Sequence, residues 1–351
     1  MSHTPKLLDI SDGRVSLNRD FIEFNEKTSW SPQRKVEVFW HMIEEYIYNN
    51  SGWSEERINK SLQAFTNAYE LVKYKFQDIE RNTGGRYFDH LVRVMESVIK
   101  NTKEPSIKKT LIAICHDLIE DTDIDFYTLK SILGTHVALG TLLISKEPIH
   151  VFLNSEDLEI LRSIERTGIL NLKSIPSDEF LQRKSYNPDS LSTIEKEAFA
   201  QYKTLEGKYK TIRDKAYFSH MFSDGENIYS KQVNEKTPSI NTFYNHAISL
   251  LENTHTPLNI WYPELKQIIF DALEVKFWDR IDNLRTTEIY NHWSEKNLKK
   301  AQRKIGETKK YFFPIAQEFD MLRETHFFSI LQNEIIEMEK YITKKRIEIT
   351  L

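Results

Sequence analysis

Cysteine is almost absent: Cys115 is the single one in 351 residues, so no intrachain disulfide can form. Its neighbours Leu111, Ile112, Ile114 and Leu118 mark it as a small buried side chain. Glycine and proline are scarce, at 10 each. So few turn residues disfavour a many-stranded β fold and favour long helices. No apolar run approaches the ~20 residues needed to span a bilayer, and the start Met-Ser-His-Thr-Pro-Lys lacks the long apolar core of a secretory signal. A cytoplasmic chain with no membrane partner is expected. A strong charge bias is also missing. The net charge is −4 and the pI is about 6.3, so a broad basic face is not indicated and nucleic acid is not an expected partner. There is no Gly-rich phosphate loop, no internal repeat and no low-complexity tract.

What is present reads as helix. Residues 1–30 are mixed and polar and are expected to form an irregular arm. Ser31-Pro32 opens a helix that ends at Asn49-Asn50-Ser51-Gly52. Ser54, with Glu55 and Glu56, opens the next, whose apolar face runs through Leu62, Phe65, Ala68, Tyr69 and Val72. Gly84-Gly85 marks a loop, and helical pattern resumes near His90. The very apolar segment Leu111 to Ile119 predicts one buried helix. Shorter helices follow near 125–133 and 135–145, with Thr135 as a cap for the second. From about 150 to 265 polar loops multiply, with helical pieces near 155–165, 191–205 and 241–252. A strongly apolar helix returns over 264–290, and 296–347 is helical and charged.

The chemistry concentrates in His116-Asp117-Leu118-Ile119-Glu120-Asp121-Thr122. If the helix runs through it, His116 and Glu120 share one face and Asp117 and Asp121 the next. A buried helix does not carry that much charge without compensation, because unpaired buried charge is costly. A metal ion would compensate it. His90 opens another helix upstream, and Asp279 lies in a second charge-studded apolar helix, Val275-Lys276-Phe277-Trp278-Asp279-Arg280-Ile281-Asp282-Asn283-Leu284-Arg285-Thr286. Two imidazoles and two carboxylates form a mixed nitrogen–oxygen shell. Such a shell suits Mn, Fe, Co, Ni or Mg better than a closed structural zinc site. The remaining histidines lack ligand spacing and read as structural or exposed, and Trp278 and Tyr311-Phe312-Phe313 read as core.

Taken together, Arg81…His90, His116-Asp117-x-x-Glu120-Asp121-Thr122 and Asp279-Arg280-x-x-Asn283-x-Arg285-Thr286 resemble the HD hydrolase domain of the RelA/SpoT alarmone enzymes, above all their stand-alone small alarmone hydrolases. Glu307-Thr308-x-x-Tyr311-x-x-Pro314-x-Ala316 is a weaker match to the segment that follows that core. The resemblance covers about 60–148 and 264–335. It implies an all-α HD-domain helical bundle with an inserted, mainly helical lobe. It also implies a manganese-dependent hydrolase that removes the 3′-pyrophosphate of ppGpp or pppGpp. By this resemblance His90, His116, Asp117 and Asp279 bind one divalent ion, Mn2+, and Glu120 with Asp121 is the acid/base pair. Arg81 lies against guanine with Thr83 nearby, and Asn283 and Thr286 touch the nucleoside. Arg86, Lys146 and Arg285 are cations that would neutralise phosphate charge.

Three departures stand out. Asn82 replaces a lysine usual in the family, Leu91 replaces a proline, and the stretch from Asp117 to Asp279 is far longer than in compact relatives. The expected organisation is therefore a helical extension over 1–55, a hydrolase core over 56–150, an inserted lobe over 151–262 and the rest of the core over 263–351. The lobe is a candidate lid, homo-oligomer surface or protein-partner site. No synthetase domain accompanies the hydrolase motifs. Two other functions fit the same motifs: an HD hydrolase of another nucleotide, such as an adenosine alarmone, and a non-catalytic binding module acting through the lobe.

Overall fold

The computed structural model describes residues 8–9, 16–17, 54–76, 81, 87–101, 106–122, 124–146, 152–166, 192–222, 247–248 and 262–350. The fold is all-α. Among the described residues the one exception is a two-residue antiparallel pair, β1 (Leu8–Asp9) with β2 (Ser16–Leu17), inside the stretch expected to be irregular. The helix expected from Ser31 and the Gly84-Gly85 loop lie outside the described residues, as does most of 241–252.

Helix α1 (Glu55–Lys75) starts as its sequence dictates. Ser54 Oγ accepts from Arg57 N at 3.3 Å, and Glu55 and Glu56 sit in the first turn, where negative charge suits the helix dipole. Its buried face is Phe65, Ala68, Tyr69 and Val72. Helix α2 spans Tyr87–Asn101, and α3 spans Ile107–Cys115 behind a Ser106 cap. The single helix expected through Leu111–Ile119 is broken. His116 and Asp117 form a turn, and α4 (Leu118–Asp121) begins after it. Asp117, at φ −101° and ψ 0°, leaves helical geometry there.

Helices α5 (Phe126–Leu133) and α6 (Thr135–Leu143) follow the expected bounds. The cap does not: Thr135 is the first helical residue and Gly134 holds the cap position at φ +84°. A side chain is strained at that φ, while glycine enters freely. Gly140 of α6 packs so closely on α3 that a Cβ there would lie 2.3 Å from Ile112 Cδ1.

Helix α9 (Tyr262–Arg285) is the central element, packed against α2, α3, α6 and the C-terminal helix α12 (Phe327–Thr350). Between them run a 3₁₀ turn (Glu288–Tyr290), α10 (Glu295–Glu307), a π turn (Thr308–Phe312) and α11 (Phe313–Arg323). Phe277 meets Phe319 and Phe327 at ring separations of 5.4 and 4.9 Å. Each such buried ring contributes about 1.5–3 kcal/mol. Trp278 and Phe312 are buried in the same core, as their sequence context suggests.

Charge inside this core is the unusual feature. On α9, Asp271, Glu274, Lys276, Asp279, Arg280 and Asp282 are all 9% exposed or less. Such groups must be paired. In the N-terminal half, Lys109 Nζ lies 2.7 Å from Glu274 Oε2 and 3.6 Å from Asp271 Oδ1, and His136 Nε2 lies 3.0 Å from Asp271 Oδ2. Farther along, Arg280 pairs with Glu307 at 3.0 Å and lies over the Phe312 ring. The remaining buried charges of α9 belong to the cluster described below.

Between the two stretches of core chain lie α7 (Ser155–Arg166) and α8 (Thr193–Phe222). Sequence pattern predicts the second only over 191–205, because Gly207 and the charges after it obscure its continuation. Leu161 and Ile164 of α7 pack with Ala198, Tyr202, Leu205 and Tyr209 of α8 in a small apolar cluster of their own. The far end of α8 belongs instead to the main core, through Tyr217 and Phe218. No helix among the described residues is long and apolar enough to cross a membrane.

Candidate metal centre

Three separate elements meet at one buried point. His90 comes from the first turn of α2, His116 and Asp117 from the turn after α3, and Asp279 from α9. The ligand atoms of His90, His116 and Asp279 all lie within 4.8 Å of one another, and the three residues are buried. The two Nε2 atoms are 3.2 Å apart. Asp279 Oδ1 lies 3.3 Å from His90 Nε2 and 3.7 Å from His116 Nε2. Asp117 Oδ2 completes the cluster at 3.1 Å from His116 Nε2 and 3.7 Å from His90 Nε2. Consecutive residues on an α-helix project about 100° apart. The break at 116–117 is what turns both side chains to the same point.

The outer nitrogens of both imidazoles are already engaged. His90 Nδ1 is 2.6 Å from Asp282 Oδ2, and His116 Nδ1 is 2.7 Å from the Ala113 carbonyl oxygen. Both partners are acceptors, so each Nδ1 carries its proton and each Nε2 presents a lone pair. Two lone pairs facing each other across 3.2 Å, beside two carboxylates, repel unless a cation lies among them. The donor set therefore fits a divalent metal, with the tautomers held by the outer hydrogen bonds. In the metal-free protein a proton takes that place. Burial alone would lower His116, but Asp117 and Asp279 outweigh it and raise its pKa to about 10. Burial alone would raise the two carboxyls, yet His116 holds Asp117, and Lys276 holds Asp279, well below the usual carboxylate range.

Around this point sits a ring of groups the motif reading did not single out. Asp282 accepts from Arg93 Nε at 2.7 Å as well as from His90. Lys276 Nζ is 2.8 Å from Asp279 Oδ2. The Tyr87 hydroxyl donates to Asp117 Oδ2 at 2.7 Å and lies 2.6 Å from Asp121 Oδ2. Burial, followed by the charges of Glu120 and Asp117, raises Asp121 well above the usual range. A hydroxyl has one proton, so both short contacts are satisfied when Asp121 carries a proton of its own. Asp282 and Lys276 lie one helical turn either side of Asp279, a spacing visible in the sequence. Tyr87 carried no such signal.

The other expected site residues fall into four groups. Glu120 is beside the cluster and is held by Lys146, whose Nζ is 2.7 Å from Oε1 and whose backbone N–H donates to Oε2. Arg81, Asn283 and Thr286 lie together. Arg81 donates to Asn283 Oδ1 at 2.6 Å, to Thr286 Oγ1 at 3.2 Å and to Asp282 Oδ2 at 3.3 Å, while Asn283 Nδ2 donates to Asp279 Oδ1 at 2.5 Å. Arg285 is not brought to the cluster: it is half-exposed and pairs with Glu334 of α12 at 2.7 Å. Thr83 and Arg86 lie outside the described residues.

Comparison with protein-family models, with curated proteins and with solved structures finds no match. The geometry thus defines an all-α protein with a buried His/His/Asp group that could hold a metal ion.

Proposed function

We propose that the chain is a metal-dependent phosphohydrolase of the HD type that removes the 3′-pyrophosphate from guanosine alarmones. One observation carries this reading. The proposed ligands His90, His116, Asp117 and Asp279 meet at one buried point, and the Tyr87 hydroxyl links Asp117 to Asp121, which adjoins Glu120 in the chain. A pure binding site needs the ligands but has no use for a second carboxylate pair beside them.

When bound, a divalent ion, Mn2+ by the family resemblance, supplies a Lewis acid that polarises a phosphoryl oxygen and acidifies water. The chain's own groups do the rest. Lys146 fixes Glu120 through two hydrogen bonds, and Glu120 is the group proposed to take a proton from the attacking water. Asp121, whose carboxyl is raised above the usual range by burial and by the charges of Glu120 and Asp117, can return one to the leaving group. The water oxygen bonds to phosphorus, the bond from phosphorus to the 3′ oxygen breaks, and the nucleoside keeps that oxygen as a hydroxyl. Arg81, Asn283 and Thr286, mutually bonded at one edge, are the group proposed to meet the nucleoside.

The test is incubation of the full chain with Mn2+ and ppGpp, with products identified. Pyrophosphate and GDP are expected, and Asp117→Ala is expected to form neither. Turnover of a different nucleotide, with ppGpp untouched, would leave a hydrolase but remove the guanosine alarmone. No turnover in a broad nucleotide panel would remove hydrolysis altogether.

A further inference from the structure

Helix α8 ends against the metal centre. Its residue Tyr217 is 6% exposed and belongs to the main core rather than to the cluster around Leu161 and Tyr202. The Tyr217 hydroxyl donates to the Ile144 carbonyl oxygen at 3.1 Å. Its ring centroid lies 5.4 Å from Lys146 Nζ and 5.3 Å from Lys276 Nζ. Those two ammonium groups hold Glu120 at 2.7 Å and Asp279 at 2.8 Å. The neighbouring Phe218 stacks on Tyr311, with centroids 4.5 Å apart and planes 2° from parallel. This stack seats the end of α8 on the π turn.

We propose that Tyr217 is a positioning residue of the metal centre: its ring, delivered by the helix between the two stretches of core, keeps Lys146 on Glu120 and Lys276 on Asp279. An aromatic face attracts ammonium groups, and does so more strongly where water is kept out. Two like charges near one ring repel each other, so each stays in place only while its own carboxylate and the shared ring hold it. A flexible lysine released from the ring gains solvent and rotamers, and its carboxylate loses a fixed partner. On this view the end of α8 is part of the wall of the site. A rigid helix running from the small cluster to the metal centre couples the two, so whatever shifts α7 against α8 shifts Tyr217. The expected effect on turnover rests on the hydrolase reading above; the expected effect on the lysines does not.

The experiment uses the full chain with Mn2+ and four forms: wild type, Tyr217→Phe, Tyr217→Leu and Phe218→Leu. Competitive acetylation, read lysine by lysine by mass spectrometry, reports how well each ammonium is held. Tyr217→Leu is expected to speed labelling of Lys146 and Lys276 by about threefold or more, since it removes the ring face. Tyr217→Phe keeps the ring but loses the hydroxyl's hydrogen bond to Lys276, and is expected to leave Lys146 at the wild-type rate and to speed Lys276 less than Tyr217→Leu does. Phe218→Leu loosens the seat of α8 but leaves the Tyr217 ring in place, and is expected to lower thermal stability while exposing those two lysines less than Tyr217→Leu does. With ppGpp, Tyr217→Leu is expected to lower kcat about tenfold or more at similar KM, as misplaced acid/base groups do, and Tyr217→Phe is expected to retain it. Unchanged labelling in Tyr217→Leu overturns the proposal. So does equal loss in Tyr217→Phe, or equal lysine exposure in Phe218→Leu. If wild type turns over no nucleotide, the hydrolase reading fails while the labelling pattern still decides the role of Tyr217.

Discussion

Replacing Asp282 with asparagine probes the outer layer of the candidate metal centre at its most connected point. Both oxygens of Asp282 face donors. Oδ2 meets His90 Nδ1 at 2.6 Å, Arg93 Nη2 at 3.1 Å and Arg81 Nη1 at 3.3 Å, and Oδ1 meets Arg93 Nε at 2.7 Å. Burial alone would raise this carboxyl, but His90 and Arg93 hold it well below the usual range, so it is charged at every pH of interest. Asparagine keeps one acceptor and puts an amide N–H group in the other place. If that group faces Arg93, two donors oppose each other and the guanidinium is displaced. If it faces His90, Nδ1 must become the acceptor, the proton moves to Nε2, and the metal-facing lone pair is lost. Changes of this kind behind a ligating histidine weaken metal binding about 10- to 100-fold, or roughly 1.4 to 2.8 kcal/mol. Titration of free Mn2+ by electron paramagnetic resonance measures it, with far-UV circular dichroism confirming the fold. A folded Asp282→Asn protein that binds Mn2+ within twofold of wild type would refute the reasoning.

Two further substitutions test the buried charge away from the metal. Lys109→Met leaves Glu274 and Asp271 without their ammonium partner. Breaking such a buried pair costs about 3–5 kcal/mol, measurable by urea unfolding, and a loss under about 1 kcal/mol would contradict the pairing. Lys304 donates to the Asn283 carbonyl and to Thr287 Oγ1. Its burial, aided by the charges of Arg81 and Arg280 against the opposing Glu288, lowers it to about 8. Because the unfolded chain holds this proton up to about pH 10.4, wild-type stability gains as pH rises from 8 toward that value. The stability of wild type relative to Lys304→Met should therefore increase between pH 7 and 10, and a gap independent of pH would oppose it.

Much of this architecture is legible in the sequence. Scarce glycine and proline imply helices, and the Ser54 cap, the bounds near 125–133 and the start near 155 follow from local rules that tertiary packing leaves alone. His90, His116, Asp117 and Asp279 stand out because charge on apolar helices demands a partner, and these side chains lie together in the structure. Three features escape such rules. Helical periodicity runs smoothly through His116-Asp117, so the break there, where Asp117 leaves helical geometry, is invisible locally. The cap at Gly134 depends on a positive φ that Thr135, the better capping residue by composition, obscures. The approach of Tyr217 to Lys146 and Lys276 joins residues 71 and 59 positions apart on different elements, and no spacing rule reaches that far. Arg285 shows the converse case: a charge inside a motif whose partner, Glu334, belongs to a helix the motif does not include.

Elemental analysis of the full chain after dialysis against Mn2+ bears most directly on the proposed metal centre. About one equivalent per chain is expected in wild type, with His116→Ala and Asp279→Ala each losing it, since a site of this kind needs its full set of ligands. A wild-type protein that retains no metal, or variants that both keep the full equivalent, would contradict the assignment.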